Sequence, residues 1–387
     1  MSTLLKKTGL ASLAVVASVL AFLTGAIMLG AYFPAIPKIG VLGPVLGGQF
    51  PVHLALLAFL GLALSIVAWH GGLRRWGATT TAITALATVA ALVITGVQFT
   101  AARKANADVS FGQIFSELGY PDVTPDRTET YATRDGEPLQ ADVYLPKGQA
   151  NAPSVILAHA GGFHVFDKSD LRGTGRWLAE HGVAVFAVDY RLARPDRPTW
   201  EQAPQDLVAA LRWVETHAGH YGLDPARISM GGMSAGGTLA MNTAYRLRNG
   251  TLHATDGPTP KPPASVVGFY PGTDVTDMWQ RDVGGSREAA ELFTGGTPQQ
   301  FPERYREVSP TAQVRAGLQR TLLVVGDRDR SATPQSVTAL ADSLRAHGVD
   351  TTMEELPFAE HAFDDAYGSL TSQTSRQILL EFLTGGR

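Results

Sequence analysis

The sequence predicts an α/β fold, a mostly parallel sheet covered by helices, preceded by a membrane-spanning region. Three observations carry that prediction. The first hundred residues hold three apolar runs, Leu10 to Leu29, Val52 to Ala68 and Ala78 to Phe99, none containing Asp, Glu, Lys or Arg. From residue 127 onward, short apolar β-rich runs alternate with segments of helical periodicity. The stretch "ISMGGMSAGG" sets a serine in a Gly-x-Ser-x-Gly pattern where a strand gives way to a helix.

Each apolar run approaches the roughly 17–25 residues that a membrane-spanning helix needs. Pro34, Pro37, Pro44 and Pro51 punctuate the first gap, and "HGGLRRW" forms the second. Lys6 and Lys7 precede the first run, and Arg74 and Arg75 separate the second from the third; Lys38, Arg103 and Lys104 fall on the other side. That bias of four against three puts the amino terminus inside and everything after Phe99 outside. His53 and His70 sit at span edges and read as interfacial. No ionisable Asp, Glu, Lys or Arg lies within a span, so an anchor is expected rather than a proton or ion pathway.

Residues 101 to 126 read as a linker with a short helix. "ETYATRDGEPLQADVYLP" then reads as two strands around Asp135-Gly136. "SVILAHA" and "VAVFAVDY" are buried strands, with the helix "RGTGRWLAEHG" between them, ended by Gly182. "WEQAPQDLVAALRWVETHAGHYG" carries Leu207, Ala210, Leu211 and Val214 at helical spacing. "RISMGG" is a short strand running into the serine, and "GGTLAMNTAYRLR" is a helix. "ASVVGFYP", "RTLLVVGD" and "TTMEELPF" are strands; "PQSVTALADSLRAHG" and "SQTSRQILLEFLTGG" are helices. Such alternation implies a mostly parallel sheet.

Composition narrows the chemistry. The chain has 387 residues, a net charge of −3 and no cysteine. Nothing electrostatic favours nucleic acid, and disulfides, thiolate metal sites and a cysteine nucleophile are excluded. His217 and His220 lack an accompanying carboxylate pattern, and no dinucleotide or phosphate-loop fingerprint occurs, so neither a metal nor another cofactor is expected.

Ser234 sits in Gly232-Met233-Ser234-Ala235-Gly236. A serine hydroxyl needs a base, and the base an orienting partner; on a strand-elbow-helix scaffold these follow in the order Ser, acid, His. Downstream histidines are His253, His347 and His361. His253 precedes any plausible acid, and His347 sits at a helix end. His361 follows the last strand and precedes the last helix, where the base belongs. The acid should follow a buried strand, and "LLVVGDRDR" offers Asp327 and Asp329. Gly161 and Gly162 of "HAGGF" follow the strand upstream of the elbow and can present backbone N–H groups, with Ala235 N–H as a further donor.

Taken together, "HAGGF", "VDYRLAR", "QDLVAALRWV", "YGLDPARI" and "GMSAGG" resemble the α/β-hydrolase superfamily, closest to its hormone-sensitive-lipase-like and feruloyl-esterase-like serine esterases, over roughly residues 127 to 387. The resemblance implies an α/β-hydrolase fold. The transmembrane helices before it, about three, are read from the apolar runs and are not part of the family's common domain. It implies a triad of Ser234, Asp329 and His361 and an oxyanion hole from Gly161, Gly162 and Ala235. Gly326 to Asp329 matches the family's G-x-x-D, and Asp206 matches a position expected to be structural. Two departures stand out: Ala160 replaces the first glycine of H-G-G-G, and Arg330 follows the acid where one branch keeps D-P.

The expected organisation is therefore a membrane region over 1–105, with spans 10–29, 52–68 and 78–99; a linker over 106–126; and a hydrolase domain over 127–387. The expected activity is cleavage of carboxylic esters, small-molecule or lipid, by a multi-pass membrane protein whose catalytic part is extracytoplasmic. Amide hydrolysis or acyl transfer by the same triad, and a non-catalytic binding module on the same fold, are the alternatives. "DMWQRDVGGSREAAELF" is expected to shape the pocket, with Phe163, Phe166, Trp200 and Trp279 as lining or core. The sequence sets no oligomeric state.

Overall fold

A computed structural model describes residues 2–386, and the side chains of residues 2–7, including Lys6 and Lys7, lie outside what is described. The chain forms two units: residues 1–118 with 356–374, and residues 119–355 with 375–387.

In the first unit the apolar runs are helices α1 (Ser2–Tyr32), α3 (Pro51–His70) and α4 (Arg74–Lys104), each long and apolar enough to cross a membrane. The proline-rich gap is not a plain loop. It holds α2 (Ile39–Gln49), with Pro44 inside it, while Pro51 starts α3 at a position that tolerates proline. α2 forms because its glycines let backbone meet backbone. A Cβ on Gly43 would collide with Gly30 and Ala31 of α1, and one on Gly47 would come 2.8 Å from the Ala31 side chain.

Small residues also line the contacts among the long helices: Ala17, Ala21, Ala58, Ala87 and Ala91 are buried. A Cβ on Gly61 would sit 3.0 Å from both Leu20 and Thr84. The large apolar side chains point the other way, Phe22 and Leu86 being more than 70% exposed. Such an arrangement suits helices that associate by close packing in a hydrocarbon medium. The α4 threonines hide their hydroxyls on their own helix, Thr84 donating to Thr80 O and Thr88 to Thr84 O. A short helix, α5 (Phe111–Ser116), capped by Ser110, occupies the expected linker.

The second unit is built on eight strands: β1 (Arg127–Arg134), β2 (Glu137–Tyr144), β3 (Ala152–Ala158), β4 (Ala184–Val188), β5 (Leu223–Met233), β6 (Ser265–Phe269), β7 (Arg320–Gly326) and β8 (Thr351–Leu356). Their order across the sheet is β1-β2-β4-β3-β5-β6-β7-β8. β1 and β2 form the expected antiparallel hairpin, its turn made by Asp135 and Gly136, both with positive φ (52° and 82°). β2 pairs antiparallel with β4, and the run β4-β3-β5-β6-β7 is parallel throughout. The parallel strands β3, β4 and β6 are buried along their whole length, as strands covered on both faces must be.

Helices α6 (Arg172–Glu180), α7 (Gln202–His217), α8 (Ala235–Asn249) and α12 (Pro334–Ala346) pack on this sheet, and α13 (Leu370–Thr384) closes the chain. Leu207, Ala210, Leu211 and Val214 of α7 are all buried. Between β6 and β7 the chain inserts α9 (Val275–Arg281), α10 (Ser286–Thr294) and α11 (Pro302–Val308), where sequence reading placed only a pocket-shaping segment.

Asp206 of α7 organises the connection that follows β4. Its fully buried carboxylate accepts from Arg191 Nε and Nη2 at 2.8 to 3.1 Å and from Arg191 N at 2.9 Å. Removing the carboxylate leaves the Arg191 guanidinium with only Gln202 O and the exposed Asp135 as partners, so Asp206→Ala is expected to cost about 3 kcal/mol, read as a lower denaturation midpoint with an unchanged denaturant slope.

Candidate active site

Because β3, β5, β6 and β7 run parallel, their carboxyl ends share one edge of the sheet. Ser234 follows β5 there. Its φ of 51° and ψ of −118° are rare for a residue with a side chain, and such a backbone costs on the order of 1–3 kcal/mol unless its surroundings enforce it. They do so by close approach. A Cβ on Gly236 would collide with the carbonyl oxygens of Ala158 and His159, and one on Gly232 would lie 2.5 Å from Ala158 O. The end of β5, the start of α8 and the end of β3 therefore touch backbone to backbone, which only glycine permits.

Ser234 N donates to Phe269 O (2.9 Å), and Ser234 O accepts from Thr238 N (2.9 Å) and Thr238 Oγ1 (3.1 Å). The Ser234 side chain does not cap α8, and the first turn of α8 carries no acid. The positive end of a 15-residue helix thus begins at this serine with no carboxylate in that turn.

The "HAGGF" loop leaves β3 beside it. His159 is buried, stacks on Tyr190 (centroids 4.4 Å apart, planes at 11°) and sets Nδ1 2.7 Å from Ala160 O. A carbonyl only accepts, so Nδ1 carries the proton. Tyr190 O–H donates back to His159 O at 3.0 Å. Gly161 and Gly162 have φ of 111° and 55°, and Gly161 O accepts from His164 N and Val165 N, both at 3.0 Å. Ala160 does not have positive φ, so alanine in place of the usual first glycine imposes no backbone strain.

Phe163 closes the loop. It is fully buried and stacks on Phe293 of α10 at 4.0 Å, while its carbonyl accepts from Ala193 N. Phe163 is thus core, whereas Phe166 is 61% exposed. Trp279 donates to Glu291 (2.7 Å), tying α9 to α10, and Arg304 lies over Trp200. A Cβ on Gly162 would come 3.1 Å from Ala289 Cβ, so α10 rests on the glycine loop.

Past β7, Asp329 N donates to Gly326 O (3.1 Å), curling the chain so that the Asp329 carboxylate accepts from Ser331 N and Ala332 N, each at 2.8 Å. Asp329 is buried, whereas Asp327 is partly exposed and lies 3.8 Å from Arg328. Ser234, Gly161, Gly162, Ala235 and Asp329 therefore come to one edge of one sheet.

His361 belongs to the other unit, on segment 356–374. Its N–H donates to Glu360 Oε1 (3.2 Å). His253 offers its carbonyl to Gln205, and His347 caps the end of α12. The supporting residues that sequence reading missed are Tyr190 and Arg191, both inside the quoted "VDYRLAR". Asp206 holds the Arg191 amide, and the same stretch pins His159 through Tyr190 and Phe163 through Ala193.

Residues 141–344 match the BD-FAE family. The chain belongs to the BD-FAE family. Among the proteins this chain is similar to, esterase LipI of Mycobacterium tuberculosis is 42% identical over 116 residues, covering 29% of this chain and 36% of LipI. Esterase LipC of the same organism is 27% identical over 246 residues, covering 62% of this chain and 60% of LipC. A 5-methylorsellinic acid synthase of Aspergillus terreus is 31% identical over 196 residues, covering 47% of this chain but only 7% of the synthase. The chain thus spans less than two thirds of the length of each of these relatives.

Esterase 2 of Thermogutta terrifontis, solved with propionate, superposes with a TM-score of 0.57 at 22% identity, over 68% of this chain and 96% of that one. Esterase LipW of Mycobacterium marinum gives 0.56 at 24% identity, over 75% and 85%. These likenesses, with the mostly parallel sheet, establish an α/β-hydrolase fold for the BD-FAE portion.

Burial holds the His159 imidazole below its ordinary pKa of 6.5. The folded state then binds fewer protons at this site than the unfolded state, so stability falls as pH drops below about 6.5, by up to about 1.4 kcal/mol per unit. Thermal denaturation of the wild type is expected to show that acid slope, and His159→Gln to show a shallower one.

Proposed function

We propose that this BD-FAE protein is a membrane-anchored serine hydrolase of carboxylic esters. The observation that carries the reading is Ser234, held at φ 51° by backbone contact between β3, β5 and α8, beside a glycine loop and a buried, amide-oriented aspartate on one sheet edge. In this reading Ser234 Oγ attacks the acyl carbon as His361 takes its proton. Asp329 orients the imidazole and stabilises its charged form. The N–H groups of Gly161, Gly162 and Ala235 receive the developing oxyanion, aided by the start of α8. His361 then protonates the leaving alcohol, and water, deprotonated by the same imidazole, releases the acid and restores the serine.

The matched relatives that are named esterases support ester cleavage, and a small-molecule ester suits them. The inverted surface of the apolar helices, large side chains out and small ones in, supports the anchor. The charge bias of the loops supports an extracytoplasmic catalytic portion.

The test uses the full chain in detergent micelles. Release of nitrophenol from nitrophenyl acetate is expected to be lost in Ser234→Ala, with a fall in kcat of about 10⁴-fold or more, and a fluorophosphonate is expected to label the wild type alone. Activity that survives Ser234→Ala would reject the assignment.

A further inference from the structure

The apolar helices do more than anchor. Segment 356–374, which carries His361, packs in the same unit as those helices. Gln98 of α4 is 1% exposed. Its Nε2 donates to Gly48 O (2.8 Å) at the end of α2 and to Pro357 O (3.2 Å). The neighbouring Gln49 donates through Nε2 to Ala362 O (3.1 Å), the residue after His361. Between these two bonds the backbone of Gly48 lies against the Phe358 carbonyl so closely that a Cβ there would collide with it. The Phe358 ring packs on the apolar cluster of α1, α3 and α4 and tilts against Tyr32 at 5.1 Å.

The other end of the segment is tied as firmly. Gln373 accepts from Ser110 N (2.7 Å) and donates to Ser110 O and Gly368 O, while Gly368 N donates to Glu117 O.

An amide N–H buried among apolar helices is costly unless bonded, and here the acceptors are the Gly48 carbonyl of α2 and the Pro357 carbonyl of the loop. The loop in turn holds Phe358 and Ala362 at φ of 55° and 56°, a conformation that persists only where the surroundings over-determine it. We infer that Gly48, Gln49 and Gln98 are positioning residues for the loop that carries His361. This rests on the reading of His361 as the base.

The experiment uses the full chain in detergent micelles, comparing wild type with Gln98→Met, Gln49→Ala and Gly48→Ala; His361→Ala tests the reading beneath the inference. Amide hydrogen exchange over 357–369 is expected to speed by about tenfold or more in the three variants, with exchange over 230–245 unchanged. On nitrophenyl acetate, kcat is expected to fall by up to about 10²-fold, with KM within about twofold. Unchanged exchange over 357–369 in all three variants overturns the inference. So does faster exchange with unchanged kcat, which leaves the ester-hydrolase reading standing. Full activity in His361→Ala removes the base assignment itself and overturns the inference with it, whatever the exchange shows. If Gly48→Ala does not fold, the milder Gln49→Ala and Gln98→Met decide.

Discussion

The candidate active edge depends on one approach, that of the first turn of α8 to the end of β3. Gly232 and Gly236 allow it, and the carbonyls of Ala158 and His159 set its limit. With the two backbones in contact, Ser234 has no room to relax to an ordinary φ, and the strain is held by the sheet itself. The same contact fixes where the "HAGGF" loop starts. The loop is then clamped from three sides: by Tyr190 on His159 O, by Ala193 on Phe163 O, and by α10 against Gly162. Backbone donors held this way incur no reorganisation when charge appears near them, as the proposed role of the loop requires.

The first unit uses the same device for another end. Gly30 and Gly43 let α1 and α2 touch, and Gly48 lets α2 touch the Phe358 carbonyl. In a water-soluble core such glycines would compete with large apolar residues that bury more surface. The helices instead turn Phe22 and Leu86 outward and meet one another through small residues, so close packing with internal hydrogen bonds decides the arrangement. The buried Gln98 donates both of its amide protons to backbone carbonyls, those of Gly48 and Pro357.

Much of this was legible from residue patterns. Strand-helix alternation, the hairpin at Asp135-Gly136, the three long apolar helices and the strand-serine-helix junction all follow local rules, and the structure shows each. What was not legible has a common cause. "IGVLGPVLGGQ" reads as a break because Pro44 and four glycines oppose helix propensity, yet it folds as α2 because tertiary contact rewards the missing side chains. The helices α9 to α11 are short, and two of them begin without a side-chain cap, so no boundary signal marks them. Gln49 and Ala362 stand 313 positions apart, and no periodicity within one sequence connects them.

That separation bears on how the chain works as a whole. A protein whose apolar helices only tether a catalytic domain has no reason to spend two buried glutamine side chains on a loop near its other end. Here the bonds from Gln49 and Gln98 terminate on the backbone flanking His361, not on its ring. They therefore constrain where the loop runs. In the proposed reading of His361 as the base, a fixed backbone is what proton transfer in a set geometry requires, and the bonds to the carbonyls of Pro357 and Ala362 hold that stretch of backbone.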